Sequence, residues 1–318
     1  MQIPENEVIL SLKDLTKSYG GLKAVDGLSL EVRHGEILGF LGPNGAGKTT
    51  TIHMICGLLK SDSGEITVNG MSMSEHLREC RKGMGLCPQS LIIWETLTCL
   101  EQLEFMARLY DVQPKAARKK SLELLDALGL EEKKNKLAKI LSGGMKRRLN
   151  IALALVHDPE ILILDEPTAG LDPQSRVLVR EYVRSLAKKT TVILTTHEMD
   201  EADRLSDRVA IIDHGRLLVL DTPKNLKNRI GEGDVMEITL ADGHGERLNH
   251  LEKDLPETIR RLSREGDSLR MVGADIPGLL PALMEKFHAK GLKIEDLTIR
   301  KKTLEDVFIA LTGRRLRE

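Results

Sequence analysis

Gly42-Pro43-Asn44-Gly45-Ala46-Gly47-Lys48-Thr49-Thr50 decides how this chain is read. Gly42, Gly47, Lys48 and Thr49 stand at the spacing of a phosphate-binding P-loop. The flanks fit. Ile37-Leu38-Gly39-Phe40-Leu41 is a short apolar run that reads as a buried strand, and Thr51 to Leu59 reads as a helix with apolar residues at 52, 55, 58 and 59. Glycines remove Cβ atoms, so the backbone can wrap closely around a phosphate. Backbone N–H groups of Pro43-free positions such as Asn44, Gly45 and Ala46 then converge at a helix N-terminus, where the dipole favours an anion. Each charge-assisted bond of this kind contributes about 1.5–3 kcal/mol. Lys48 is expected to reach the outer phosphates and the Thr49 hydroxyl to ligate Mg²⁺, with Thr50 continuing into the helix.

Working outward, the 318 residues suggest one large and one small domain. A net charge of −1 gives no global reason to expect nucleic-acid binding. No apolar run approaches the roughly 18 residues of a membrane span, and residues 1–7 lack the basic and apolar regions of a signal peptide. If a membrane is involved, a partner has to supply it. Cys56, Cys80, Cys87 and Cys99 show no C-x-x-C spacing and are expected as free thiols in a reducing cytoplasm.

Before the loop, Val8–Leu12 and Leu28–Val32 read as strands, with Gly20-Gly21 as the turn and Tyr19 just ahead of it. After it, Gly64–Gly70 is a strand ending in an Asn-Gly turn, and Met84–Cys87 is a short apolar run closed by Pro88-Gln89. Helices are expected over about 98–110 and 115–128, the second with Leu122, Leu125 and Leu128 on one face. Lys133–Lys136 reads as a solvated basic turn. Leu141-Ser142-Gly143-Gly144-Met145 then opens a helix with Leu149, Ala152, Leu153 and Val156 at core spacing and Ser142 as N-cap.

Ile161-Leu162-Ile163-Leu164 implies a strand buried on both faces, as in a parallel sheet. It ends in Asp165-Glu166, a carboxylate pair at the strand edge where ligands bind in α/β sheets. Asp172 reads as the N-cap of a helix with Pro173 at its first position. Val192–Thr195 is another buried strand, closed by Thr196 and His197. A hairpin is expected from Val209–Ile212 and Leu217–Leu220.

The pattern changes near 225, where Gly231 and Gly233 break a polar stretch. The expected domains are 1–225 and 226–318. The second is read as a small α+β unit, with strands at Val235–Leu240, Ser268–Val272 and Leu292–Thr298. Its helix at 276–290 carries Ile276, Leu279, Leu280, Leu283, Met284 and Phe287 in one stripe, and a last helix is capped by Thr303 with Asp306. Arg314–Arg317 reads as a solvated tail.

Gln89, Leu141–Met145, Asp165-Glu166, Asp172 and His197, in this order after a P-loop, resemble the ATP-binding subunits of ABC transporters over about residues 7–225. The ending Leu304–Gly313 is similar to the exporter branch typified by daunorubicin-resistance ATPases, which also tends to carry Met where other families have Gln, as at Met145. The resemblance implies an α/β fold: a P-loop NTPase core with a mostly parallel sheet, an antiparallel β subdomain, a helical subdomain and the small C-terminal α+β domain. It implies ATP and Mg²⁺ as ligands. Tyr19 would stack on adenine. Gln89 would touch Mg²⁺ and the attacking water, Asp165 would hold Mg²⁺ through water, Glu166 would be the general base, and His197 would contact the γ-phosphate. Ser142 and Gly144, with Gly143 between them, would bind the γ-phosphate of ATP held by a second copy.

One P-loop and one signature motif (Leu141–Met145) make half of each of two sites, so a homodimer, or a pair with a similar subunit, is the simple expectation. The implied function is ATP hydrolysis coupled to export, at the cytoplasmic face of a membrane through a separate integral permease. A soluble ATPase of the same family acting on ribosomes or DNA is the alternative. It is disfavoured by the lack of room for a long coiled-coil insertion and by the single ATPase domain. A degenerate nucleotide sensor is disfavoured by the presence of Lys48, Asp165, Glu166 and His197 together. The stretch after Gln89, Ser90–Thr98, holds the only Trp, Trp94, beside three apolar residues. It reads either as a buried anchor or as an apolar groove for a permease helix.

Overall fold

The computed structural model describes residues 7–231, 233–241, 259–265, 267–289, 291 and 293–313. The tail at 314–317, the first six residues and Leu292 of the last expected strand lie outside them. The chain divides into two compact units, Met1–Leu220 and Asp221–Glu318.

In the first unit, β1 (Val8–Tyr19) and β2 (Leu22–Arg33) form an antiparallel hairpin. Gly20 and Gly21 make its turn at φ +53° and +88°, which favours glycine. On its other edge β1 pairs antiparallel with a strand at Ser63–Val68, β4, which pairs in turn with β5 (Met71–Ser72). The second sheet contains β3 (Ile37–Leu41), β6 (Met84–Cys87), β7 (Ile161–Asp165), β8 (Thr191–Thr196), β9 (Arg208–Asp213) and β10 (Arg216–Asp221). Its order is β10-β9-β3-β8-β7-β6, and β9-β3-β8-β7-β6 run parallel. Every residue of β3, β7 and β8 is buried, as expected for strands covered on both faces.

This register decides where chemistry can occur. Leu41 lies opposite Thr196, and Asp165 opposite Thr195. Gly42, Glu166 and His197 are the next residues after these strands, so they emerge from the same end of the sheet. The helix after Gly47, α1 (Lys48–Ile55), begins and ends earlier than its apolar spacing suggested. Gly57 turns left-handed at φ +64°, and Leu58 falls beyond the helix, 53% exposed. The remaining helices are α2 (Leu77–Lys82), α3 (Cys99–Leu109), α4 (Pro114–Ala127), α5 (Gly143–Leu155), α6 (Pro173–Leu186) and α7 (Met199–Leu205). Leu103, Leu124, Leu125, Leu149 and Leu153, from α3, α4 and α5, share one apolar core with Leu128 just past the end of α4. The turn at Lys133–Lys136 is preceded by a single 3-10 turn, Glu131–Lys133. All four cysteines are buried and free.

The second unit opens with α8 (Pro223–Arg229). It holds a four-stranded sheet of order β12-β13-β11-β14 from β11 (Asp234–Leu240), β12 (Ile259–Glu265), β13 (Ser268–Gly273) and β14 (Ile294–Arg300). Met236, Ile238, Leu269 and Met271 pack with Ile276, Leu283 and Phe287 of α9 (Ile276–Ala289). The expected stripe on α9 is thus its core face. Thr303 and Asp306 form the expected capping box at the start of α10 (Leu304–Thr312).

Candidate functional site

Between β3 and α1 the chain folds around itself as its glycines permit. Gly47 has φ +98°, and a Cβ there would lie 2.3 Å from the Ala24 carbonyl oxygen. A Cβ on Gly42 would lie 2.4 Å from the Ile212 carbonyl oxygen. Both clashes are with backbone, which has no cheap way to yield. Asn44 and Gly45 at the loop crown are exposed, whereas Ala46 is buried. Lys48 is only 7% exposed, and its Nζ donates to the carbonyls of Gly42 (2.7 Å) and Pro43 (3.1 Å). Burial pulls its pKa below the ordinary 10.5, although Glu166 and Asp165 act in the opposite direction. A cation so desolvated gains strongly from an anion brought into the loop.

Across the sheet, Thr49 Oγ1 lies 3.4 Å from Asp165 Oδ2. The other Asp165 oxygen accepts from the Thr195 hydroxyl. Glu166 is 9% exposed, with its carboxylate between two side chains: Gln89 Nε2 donates to one oxygen at 3.1 Å, and His197 Nδ1 lies 2.9 Å from the other. With Nδ1–H as donor, His197 keeps Nε2 for a second partner. Glu166 has φ +48°, a left-handed conformation that costs a non-glycine residue roughly 1–2 kcal/mol. Neighbours hold it there. Its N–H donates to Thr195 Oγ1 (3.0 Å), and its carbonyl accepts from Arg147 Nη2 (2.7 Å). Strain that persists because surrounding bonds over-determine it is a mark of a working position.

The sequence reading missed Arg147. It lies in the run Lys146-Arg147-Arg148, which looks like a solvated helix face, yet it is 4% exposed. It missed Glu201 too, which is 1% exposed and accepts from the Thr168 hydroxyl at 2.5 Å. Neither position carries a sequence signal that separates it from an ordinary surface charge.

Other expected residues lie apart from this cluster. Ser142 caps α5 by accepting from the Met145 N–H at 3.3 Å. Among the described residues no hydrogen bond joins Ser142, Gly143 or Gly144 to the loop, to Asp165 or to Glu166. Ser142 and Gly143 are exposed. A Cβ on Gly144 would lie 2.7 Å from Ser175 Oγ and 3.2 Å from Asp172 Oδ2, so glycine lets α5 and α6 meet at their first turns. Asp172 caps α6 through the Ser175 N–H at 2.9 Å. Tyr19 is half-exposed at the end of β1, with Lys17 Nζ 5.9 Å from its ring centroid.

A cleft of about 610 Å³ opens on the first unit, lined by Leu58, Leu77, Ile92, Leu109, Tyr110 and His157 among others. Tyr110 and His157 stack there with centroids 3.7 Å apart. Trp94 is not among its lining residues. It is partly buried, edge-on to Phe105 at 5.5 Å, and Ile92 presents the apolar side chain of this segment to the cleft instead.

The ABC transporter family pattern matches residues 25–169. The linearmycin resistance ATP-binding protein LnrL of Bacillus subtilis (strain 168) is 37% identical over 315 residues, covering 98% of this chain and all (100%) of that one. The daunorubicin/doxorubicin resistance ATP-binding protein DrrA of Streptomyces peucetius is 40% identical over 304 residues, 94% of this chain and 91% of that one. The solved dimeric structure of the ATP-binding cassette MJ0796, in a post-hydrolysis state with ADP and Pi, superposes with a TM-score of 0.62 at 27% identity, covering 67% of this chain and 98% of that one. The chain belongs to the ATP-binding subunits of the ABC transporter family. It has the P-loop NTPase fold and is an ATPase.

Proposed function

We propose that this chain is the ATP-driven motor of an exporter, working as a pair of copies with a separate integral-membrane permease. The observation that carries the reading is the Glu166 carboxylate held between Gln89 and His197, one strand from Lys48. ATP phosphates entering the loop would replace the Gly42 and Pro43 carbonyls as partners of Lys48. Glu166 would take the proton of the attacking water, and His197 Nε2 would face the γ-phosphate. Such chemistry needs charge neutralisation and an oriented nucleophile more than covalent help.

The donor set fits Mg²⁺: a hydroxyl and a carboxylate, both hard oxygens, converge at Thr49 and Asp165, with Gln89 beside Glu166. Bound there, Mg²⁺ would neutralise charge on the phosphate oxygens. Ser142, Gly143 and Gly144 are exposed or half-exposed and belong to no bond network around Glu166. They serve the ATP of the second copy, with Asp172 at the same helix junction, while Tyr19 offers its exposed ring to adenine.

The relatives named above for drug resistance, and others named for Nod factor export, align along nearly the whole chain, which favours export over action on ribosomes or DNA. No helix among the described residues is long and apolar enough to cross a membrane, so the cytoplasmic-face location rests on the permease. The ATP-binding part is taken as residues 1–225, with 226–318 assisting pairing or regulation.

The cleft at Ile92 is the docking surface we assign to the permease, because Leu58, Leu77, Ile92 and Leu109 give it an apolar wall beside the basic Arg78, Arg81 and Lys82, and its segment begins at Gln89 beside the base. Co-expression with a candidate integral-membrane permease that the chain captures tests this. Ile92→Asp should lose most co-purification while ATP turnover and Tm stay near those of the parent. Full capture by this variant would move the docking surface elsewhere.

A further inference from the structure

Among the described residues Arg147 makes five hydrogen bonds, all to main-chain carbonyls and none to a carboxylate. Its Nη1 donates to the carbonyls of Pro88 (2.6 Å) and Gln89 (3.0 Å). Its Nη2 donates to those of Asp165 (2.6 Å) and Glu166 (2.7 Å), and its Nε to that of Pro167 (3.1 Å). The guanidinium carries five N–H bonds in a rigid fork, and three nitrogens reach two separate segments at once. One segment ends in Gln89 and leads to the cleft. The other carries Asp165 and Glu166. The residue itself stands on the second turn of α5, which starts with the exposed N-cap Ser142 and the half-buried Gly144.

A buried cation is an expensive way to fill space, because its desolvation is repaid only by well-aimed partners. The partners here are all main-chain carbonyls, so the residue fixes backbone positions rather than neutralising a charge. The Glu166 carbonyl is one of them, and that residue sits in a left-handed conformation that its neighbours must hold. A small displacement of α5 therefore moves the backbones of Gln89 and Glu166 together. A lysine could satisfy at most three acceptors from a single nitrogen, and not in this fork.

We propose that Arg147 is a positioning residue that carries nucleotide contact at Ser142 and Gly144 to Glu166 and Gln89 of the same chain. This rests on the reading above, in which those two residues meet the ATP of a second copy. One copy's signature end would then report to its own hydrolytic site, so that the two sites of a pair fire in a linked manner.

The test is made on the full chain with Arg147→Gln and Arg147→Lys, each assayed well below its Tm. Turnover should fall about tenfold or more while ATP affinity stays within about threefold, and the Hill coefficient for ATP should drop toward one. Lysine should not rescue. Unchanged turnover and cooperativity in folded variants, beside a parent that does pair on ATP, would overturn the proposal and leave the assembly intact. A parent that never pairs on ATP overturns the assembly and this proposal with it. Should both variants fail to fold, hydrogen exchange on chains that retain Arg147 decides. In Glu166→Gln protein, ATP should protect 87–92 and 165–170, and adding Ser142→Ala should abolish that protection at ATP concentrations that still saturate the chain's own P-loop. Protection that survives Ser142→Ala would contradict the proposal.

Discussion

Arginines do opposite work in the two units. In the first, Arg147 spends its donors on carbonyls, and the acids beside it, Asp165 and Glu166, are left with Thr49, Thr195, Gln89 and His197 for company. In the second, Arg300 takes both oxygens of the fully buried Asp306, at 2.7 and 2.8 Å, and Arg270 takes Glu237 at 3.1 Å. Asp306 accepts from the Thr303 N–H as well, at 2.8 Å. Charges that neutralise each other hold a fold together and leave nothing for a ligand. Acids bonded to hydroxyl, amide and imidazole groups, near a desolvated lysine, remain available for chemistry. On this contrast we place the proposed hydrolytic groups in the first unit and none of them in the second.

The largest expected effect is in the second unit. Asp306→Ala would take the carboxylate from the buried Arg270 and the part-exposed Arg300 and uncap α10, and removing one partner of a buried pair costs up to about 3–5 kcal/mol. Calorimetry should show this as earlier melting of that unit, with ATP affinity unchanged. Burial alone would raise the Asp306 carboxyl, but Arg300 and Thr303 outweigh it and hold it below the ordinary 3.8. Its stabilisation is present above the unfolded pKa and is lost as pH falls through the folded one, so the penalty of the variant should shrink in acid. A penalty that is flat down to low pH would mean that the ion pair is not its source.

Next comes the first unit. Glu166→Gln keeps the shape of the side chain and removes the base, so turnover should fall about 10²-fold or more with ATP binding retained. Near-normal turnover would dissolve the contrast, because Glu166 would then be no more than a structural acid.

Smallest is Glu201. Burial pushes its carboxyl above the ordinary 4.5, against the pull of the Thr168 and Thr196 hydroxyls. The folded chain therefore holds this proton more tightly than the unfolded chain does. Its contribution favours the fold at low pH and is lost as pH rises from 4.5 through the raised folded value. Glu201→Gln removes this dependence, so its Tm relative to the parent should improve as pH rises above the ordinary 4.5 and through the raised folded value. A constant difference would place the proton elsewhere.

What the sequence made legible is what has a fixed spacing. Gly42 to Thr49, the apolar runs ending at Asp165 and Thr196, and the caps at Ser142, Asp172 and Thr303 each follow from local chemistry, and parallel pairing brought the strand ends together. Long-range contacts were not legible. Arg147 sits in a basic run, and only the folded chain shows that carbonyls from Pro88 to Pro167 surround it. Strand β12, Ile-Arg-Arg-Leu-Ser-Arg-Glu, lacks clear alternation and takes its form from β13 beside it. Trp94 looked like the anchor of its segment because large aromatics usually are. Phe105 takes it up, and the cleft is left to Ile92.

The central claim is that each chain holds a complete set of hydrolytic groups but only half of the phosphate contacts, the rest lying on the exposed start of α5. Sedimentation of the Glu166→Gln chain with and without Mg²⁺-ATP tests it most directly. The account predicts a single chain of 35.4 kDa without nucleotide and twice that mass with it, the doubling abolished by Ser142→Ala. A chain that binds ATP to saturation and still sediments as a monomer would contradict it.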